Sequence, residues 1–404
     1  MSEDPLLGGD LEASTLPSPE PPDNKLGDIA ASAGLRSIEV YAWRDLDHPE
    51  AGGSEVHVAR IAERWAAAGI DVTITASRAP GGSPSQERDG YKVVRPAGRY
   101  LVFPAAAAKA LVNGRGRADA VVEVWNGMPF FTPVWTRKPR ITFLHHVHGD
   151  MWDLVMPAPL AAVGKSVESR VAPPFYRHDP VITLSESSRL TIIDKLRLDP
   201  SRVSVVAPGV DERFRPGPHV DPRPTVVAVG RLVPYKRFDL LIDVLVKVRE
   251  KHPTLAAVIA GEGAERPALE SLICRRGASD WISLPGRLDD EALVDLYQRS
   301  WVLASTSAFE GWGLTISEAA ACGTPAVVSP ITGHSDAVRP GFSGYLAEPG
   351  TPMAEAISAL LDNDLLRRRM RHGAIANAAN LSWDRAAIES MRVLASSARR
   401  SPAV

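Results

Sequence analysis

The sequence predicts an α/β protein of two domains, each alternating strands with helices, and three observations carry that prediction. Ser37–Trp43, a glycine-bearing loop, a helical repeat over Glu55–Ala68 and Val72–Ala76 follow one another as strand, loop, helix and strand, the order of a βαβ unit. The rhythm restarts at Thr225–Gly230, an apolar run suited to a central parallel strand. Between the two, residues 207–224 concentrate proline and turn residues from Pro208-Gly209 onward, as a joint does. The expected division is a tail over 1–35, a first domain over 36–206, a joint over 207–224, a second domain over 225–380 and a closing segment over 381–404.

A chain of 404 residues is long enough for two sizeable cores. Its 45% hydrophobic and 23% charged content is that of an ordinary soluble globular protein. A formal net charge of −2 argues against charge-driven nucleic-acid binding. Cys274 and Cys322 make neither a disulfide framework nor a thiolate metal site, which suits a reducing cytosol. Residues 1–35 carry Pro17, Pro19, Pro21 and Pro22 among acids, lack the basic start and apolar core of a signal peptide, and read as a disordered tail. No window reaches the roughly 18 apolar residues of a membrane span.

In the first domain, Val56, Ala59, Ile61, Ala62 and Trp65 recur at helical spacing, and Gly69 ends the helix. The preceding loop holds Gly52 and Gly53, either a plain connector or a place where backbone approaches a ligand. No G-x-G-x-x-G occurs there, so the nicotinamide fingerprint is missing. Tyr91–Arg95, Ala118–Val124 and Arg140–Leu144 read as strands, with a helix over Pro104–Val112. The last strand delivers His145, His146 and His148, three of the chain's ten histidines. Alternation puts His146 and His148 on one face and His145 on the other. Zinc ligands, core histidines and substrate-facing imidazoles are all open readings. A helix over Pro159–Val171 is expected to stop at Pro173-Pro174. Val181–Leu184 follows, then a helix capped by Ser185 and running to Leu196, and the strand Val203–Val206.

In the second domain, Arg231 and Lys236 occupy the loop between a strand and the helix Phe238–Val248. Two such cations can neutralise two phosphates, Arg as a fork and Lys as a mobile point charge; a solvated basic loop is the other reading. Leu255–Ala260 runs into the turn Gly261-Glu262-Gly263, and Trp281–Leu284, a helix around Glu291–Gln298 and Trp301–Ser305 come next. The polar stretch after them carries Glu310, then Gly311, Trp312 and Gly313, and a helix opens near Leu314 with Glu318 in its first turn. A helix start after glycines offers unpaired N–H donors and partial positive charge, which suit a phosphate. The two glutamates can accept hydrogen bonds from vicinal hydroxyls, or simply favour a helix N-terminus. Ala326–Ser329 and Gly344–Leu346 continue the alternation, and helices over Met353–Leu361, Leu365–Asn377 and Ser382–Ala398 finish the chain.

Glu310-(x7)-Glu318 within Phe-Glu-Gly-Trp-Gly-Leu-Thr, followed by Glu-Ala-Ala-Ala-Cys-Gly-Thr-Pro-Ala-Val, resembles the acidic motif of the retaining GT-B glycosyltransferases of family GT4. The resemblance covers about residues 37–390 and is strongest in the second half. It implies two Rossmann-like α/β/α domains facing across a cleft, with the closing helix crossing back onto the first. It implies a sugar moved from a nucleotide-diphosphate donor, UDP- or GDP-linked, to a hydroxyl acceptor. Arg231 and Lys236 match the family's diphosphate clamp, Gly52 and Gly53 its glycine loop, and Gly261 and Glu262 the turn bordering the base. Glu310 would meet the donor sugar, Glu318 the ribose and Gly311–Leu314 the phosphates. His148, with His145 and His146 as alternatives, would lie by the sugar and acceptor. Because the two cations take the part of an ion, no metal and no cofactor are expected. A lipid-linked acceptor would bring peripheral contact with the inner face of a membrane. The alternatives are a sugar-nucleotide epimerase of the same architecture and a non-catalytic sugar-nucleotide-binding protein.

Overall fold

The computed structural model describes residues 25–112 and 118–400. Eight strands form the first sheet: β1 Ser37–Tyr41, β2 Asp71–Ser77, β3 Ser85–Arg88, β4 Tyr91–Ala97, β5 Ala120–Val124, β6 Arg140–Phe143, β7 Val181–Thr183 and β8 Val203–Val205. They lie in the order β3-β4-β2-β1-β5-β6-β7-β8, all pairs parallel except β3 against β4. Six strands form the second, fully parallel sheet: β9 Thr225–Val229, β10 Ala256–Ala260, β11 Ile282–Gly286, β12 Val302–Ser305, β13 Ala326–Val328 and β14 Gly344–Leu346. Their order is β11-β10-β9-β12-β13-β14. Parallel strands need helical crossovers on the sheet faces, so β5 is buried along its whole length.

The hairpin β3–β4 was expected only in its second half: β4 answers to Tyr91–Arg95, and β3 was not among the expected strands. It turns on Asp89-Gly90, both at positive φ (46° and 82°), the residue pair that a two-residue hairpin turn favours.

Two further expectations need correction. The tail does not extend to residue 35: Lys25–Ser32 is a helix, with Leu26 and Ala30 buried in the first-domain core. The prolines that suggested disorder end at Pro22, before an apolar helical spacing begins; residues 1–24 lie outside the described residues. The helical run does end at Val171 ahead of Pro173-Pro174, as expected, but not as one plain α-helix. The helix Ala158–Ser166 widens into a π-helical turn over Val167–Val171, and the two prolines open the next helix, Pro173–Tyr176. At a first turn the missing N–H costs nothing.

Residues 206–224 carry no regular element between β8 and β9. Gly209 there lies against the start of the closing helix, where a Cβ would fall 2.1 Å from the Trp383 backbone nitrogen. Val210 N donates to Leu381 O at 3.3 Å, so the two strands of chain that link the domains run side by side. The helix Trp383–Arg400 then buries Trp383, Ala387, Met391 and Leu394 in the first-domain core. Trp65 Nε1 of the helix Gly53–Ala67 donates to Ala387 O at 3.1 Å.

Candidate active site

Loops that follow β1, β6 and β7 in the first sheet meet loops that follow β9, β12 and β13 in the second. This is the carboxyl-end crevice where open α/β sheets take ligands. The loop after β9 is locked by its neighbour after β10: Gly230 N donates to Ala260 O at 3.0 Å, and Leu232 N to Glu262 O at 2.9 Å. Gly261 has φ +147°, and a Cβ on it would lie 1.9 Å from Gly230 O. The Gly261–Gly263 turn is therefore required by the close approach of the two loops. Glu262 is bound by Arg266 at 2.8 Å and is more than half exposed.

Lys236 closes the short turn Pro234–Lys236 and its Nζ donates to Glu310 Oε1, which also accepts from Ser307 Oγ at 3.1 Å. Burial opposes the Glu310 charge, yet Lys236, His334 and Ser307 together hold its carboxyl below the ordinary range. Arg231 Nη2 donates to the Tyr235 hydroxyl, and its Nη1 donates to Glu50 O of the first domain at 3.2 Å. Gly52 sits against this guanidinium, where a Cβ would lie 3.2 Å from Nε, and Gly53 lies 3.4 Å from Leu314 by the same measure. The glycine loop thus faces both the clamp and the acidic motif.

The motif itself is seated by glycine. A Cβ on Gly311 would lie 2.5 Å from His145 O, while Gly311 O accepts from Ser185 Oγ at 3.1 Å and Ser188 Oγ at 3.3 Å across the cleft. Gly313, at φ +104°, starts the helix Leu314–Ala321, and Trp312 is buried with its Nε1 donating to Ser317 Oγ at 2.8 Å. From the second domain, Asp336 accepts from Glu186 N at 2.9 Å and from the Ser187 hydroxyl, capping a first-domain helix.

The three histidines separate by environment. His145 is buried with its Nε2 3.1 Å from His57 Nδ1, and burial holds its pKa well below the usual value. His146 faces the charged cluster: burial lowers its pKa to about 4, with Glu310 opposing and Arg231 and Lys236 adding. His148 stacks on His146 at 4.7 Å and packs on Trp152. Its backbone N and that of Gly149 donate to Glu168 at 2.8 and 2.9 Å, as does Trp152 Nε1 at 3.1 Å. Glu168 lies in the π-helical turn, a distortion often found at functional sites. His146 Nε2 is buried without a hydrogen-bond partner among the described residues, and His148 Nδ1, also buried, lies 3.8 Å from Glu168 Oε1. Among those residues no group of three or more His, Cys, Asp or Glu could hold a metal.

Arg231, Lys236, Glu310, Gly52, Gly53 and the 311–314 backbone thus come together. Glu318 does not join them. It accepts from the Tyr297 hydroxyl at 3.2 Å, and burial raises its pKa to about 7, with Asp290 and Asp211 adding. It sits within the helix Leu314–Ala321. His334 was not expected at the site. Its Nδ1 lies 3.0 Å from Ser329 O and so carries the proton, and burial lowers its pKa to about 4 against the pull of Glu310. Its one sequence signal is its place beside Gly333, just past β13.

Two facing α/β domains with a cation–carboxylate pair in the crevice define a GT-B protein. Solved structures share that fold: sucrose-phosphate synthase from Thermosynechococcus elongatus superposes with a TM-score of 0.74 at 20% identity, covering 88% of this chain and 97% of that one. The family model for glycosyl transferases group 1 matches residues 210–377, and that for glycosyltransferase family 4 matches residues 51–214. The chain belongs to glycosyltransferase family 4. It is 34% identical over 235 residues to a D-inositol 3-phosphate glycosyltransferase of Salinispora arenicola, covering 51% of this chain and 52% of the relative. It is 28% identical over 409 residues to the protein of that name from Acidothermus cellulolyticus, covering 88% and 90%. The chain spans about half the length of the first of these relatives.

Proposed function

We propose that the chain is a retaining glycosyltransferase that moves a sugar from a nucleotide-diphosphate donor to a hydroxyl acceptor, without a metal ion. The observation that carries the reading is the Lys236–Glu310 pair, flanked by Arg231 and His146 in the interdomain crevice. In a partly buried pair of this kind desolvation offsets much of the attraction, so it can open for a ligand at little cost. As the diphosphate enters, Lys236 and Arg231 turn to its oxygens, and Glu310 is released to accept from sugar hydroxyls. The bond between the anomeric carbon and the phosphate oxygen breaks, and the electron pair leaves with the diphosphate, stabilised by both cations and the 311–314 N–H groups. The acceptor oxygen adds on the same face and its proton passes to the leaving phosphate. His148, fixed by Glu168, borders the acceptor side, and Glu318 takes the ribose hydroxyls. Closure about residues 207–224 excludes water.

The relatives' name makes D-inositol 3-phosphate the first acceptor to offer, with UDP- and GDP-sugars as donors. Product analysis by NMR is the test. A new glycoside of the donor's anomeric configuration, formed also after exhaustive EDTA treatment, is expected. An inverted product, an isomerised donor, or loss of activity with EDTA would each overturn the corresponding part of the reading.

A further inference from the structure

At the opposite edge of the first sheet, where β6, β7 and β8 begin, a groove of about 390 Å³ opens between the strand starts and the last turn of the closing helix. Arg137, Lys138, Arg140, Arg202 and Arg400 line it, against the single carboxylate of Asp179. That carboxylate is spent: Arg140 Nε donates to it at 2.7 Å. Lys138 Nζ donates to the Ala118 carbonyl. Arg137, Arg202 and Arg400 have no side-chain partner among the described residues, although Arg202 is half-buried. Unpaired guanidinium groups facing one groove repel each other, and partial burial sharpens the penalty. The chain as a whole carries −2, so this concentration of positive charge is local and needs a counter-charge.

We propose that this groove is a second binding site, separate from the crevice, for a ligand bearing phosphate groups. Guanidinium forks match phosphate oxygens two at a time, and the volume exceeds what one phosphate fills, so a diphosphate or a phosphate ester fits. The occupant bridges Arg400 of the closing helix to Arg137 and Arg202 of the first domain. It therefore pins the helix that leaves the interdomain link at Trp383.

Calorimetric titration with pyrophosphate tests this, because pyrophosphate is also a probe for the Arg231–Lys236 clamp. In an R231A/K236A chain, pyrophosphate binding is expected to persist. In the same background, adding R137A/R202A, or separately R137A/R400A, is expected to weaken it at least 10-fold. The R137A/R400A pair touches only exposed side chains, so a folding defect from Arg202 does not confuse the result. Sedimentation with phosphatidylglycerol vesicles, compared with phosphatidylcholine, separates the sources of the phosphate. Capture by the anionic vesicles that is lost in R137A/R400A assigns a lipid headgroup; tight pyrophosphate binding without capture assigns a soluble ligand. Loss of all pyrophosphate binding in R231A/K236A with no vesicle capture, or pyrophosphate binding or vesicle capture that persists unchanged after the groove substitutions, overturns the proposal.

Discussion

The loops of the second domain and those of the first form one crevice but hold their side chains by different means. After β9 and β12, charge pairs with charge: Lys236 meets Glu310, and glycines let the loops close around them. After β6, three neighbouring histidines are sorted by what each ring meets, one turned to His57, one to the cations, and one packed on Trp152 beside Glu168. Where opposite charges must meet, residue identity and spacing foretell the geometry. Where one residue type is repeated, the packing around it decides which copy faces the ligand.

The contrast can be broken most forcefully on the charged side. Lys236→Ala and Arg231→Ala are each expected to lower kcat/KM by about 10²–10³-fold, the cost of one lost donor to a developing anion. Near-normal rates in both would reduce the pair to a structural contact. A smaller effect sharpens the histidine side. His146→Ala should slow turnover by about 10²-fold with the melting temperature nearly kept, while His148→Ala, which empties a buried place against Trp152, should lower both. His145→Ala should chiefly lower the melting temperature, because its ring fills the core beside His57. If His145→Ala alone impairs turnover, the assignment of His146 to the charged cluster is wrong.

Acid should separate the regions too. His57 is lowered by burial to about 3, and His146 and His334 to about 4. The unfolded chain, with ordinary histidines near pH 6.5, therefore binds more protons between pH 6.5 and 4. Stability is full above that window and is lost as pH falls, by up to about 1.4 kcal/mol per pH unit for each histidine. Denaturant titration at pH 7 and pH 5 checks this, and His57→Phe should flatten the slope; equal stabilities at both pH values would refute it. The smallest effect concerns Glu318, raised by burial to about 7. A raised carboxyl weakens the fold as pH climbs from about 4.5 to 7, so Glu318→Gln should stabilise the unliganded protein modestly at pH 8. The same change should raise the donor KM and abolish its fall between pH 6 and 8. A donor KM unchanged by the substitution would remove Glu318 from the ribose site.

Much of this was legible in the residues. Parallel strands read as apolar runs, and Gly52, Gly53, Gly311 and Gly313 stand where loops press together. The Asp89-Gly90 turn ahead of Tyr91–Arg95 was a readable hairpin signal, but the polar strand that leads into it, Ser85–Arg88, has no apolar alternation to mark it. Other parts had no local signature. Glu168 acts 20 residues from His148 through a widened helical turn, and Asp336 caps a helix 150 residues away. His334 reaches Glu310 only because β13 lies beside β12. Such contacts come from topology, which a periodicity cannot encode.

Calorimetric titration of UDP- and GDP-sugars into the native chain and into Lys236→Ala bears most directly on the crevice pair. At least one donor should bind the native chain, and the substitution should weaken it about 100-fold or more. Equal affinity in both chains, or no binding of any nucleotide sugar to the native one, would contradict the assignment of Lys236 and Glu310 to a donor site.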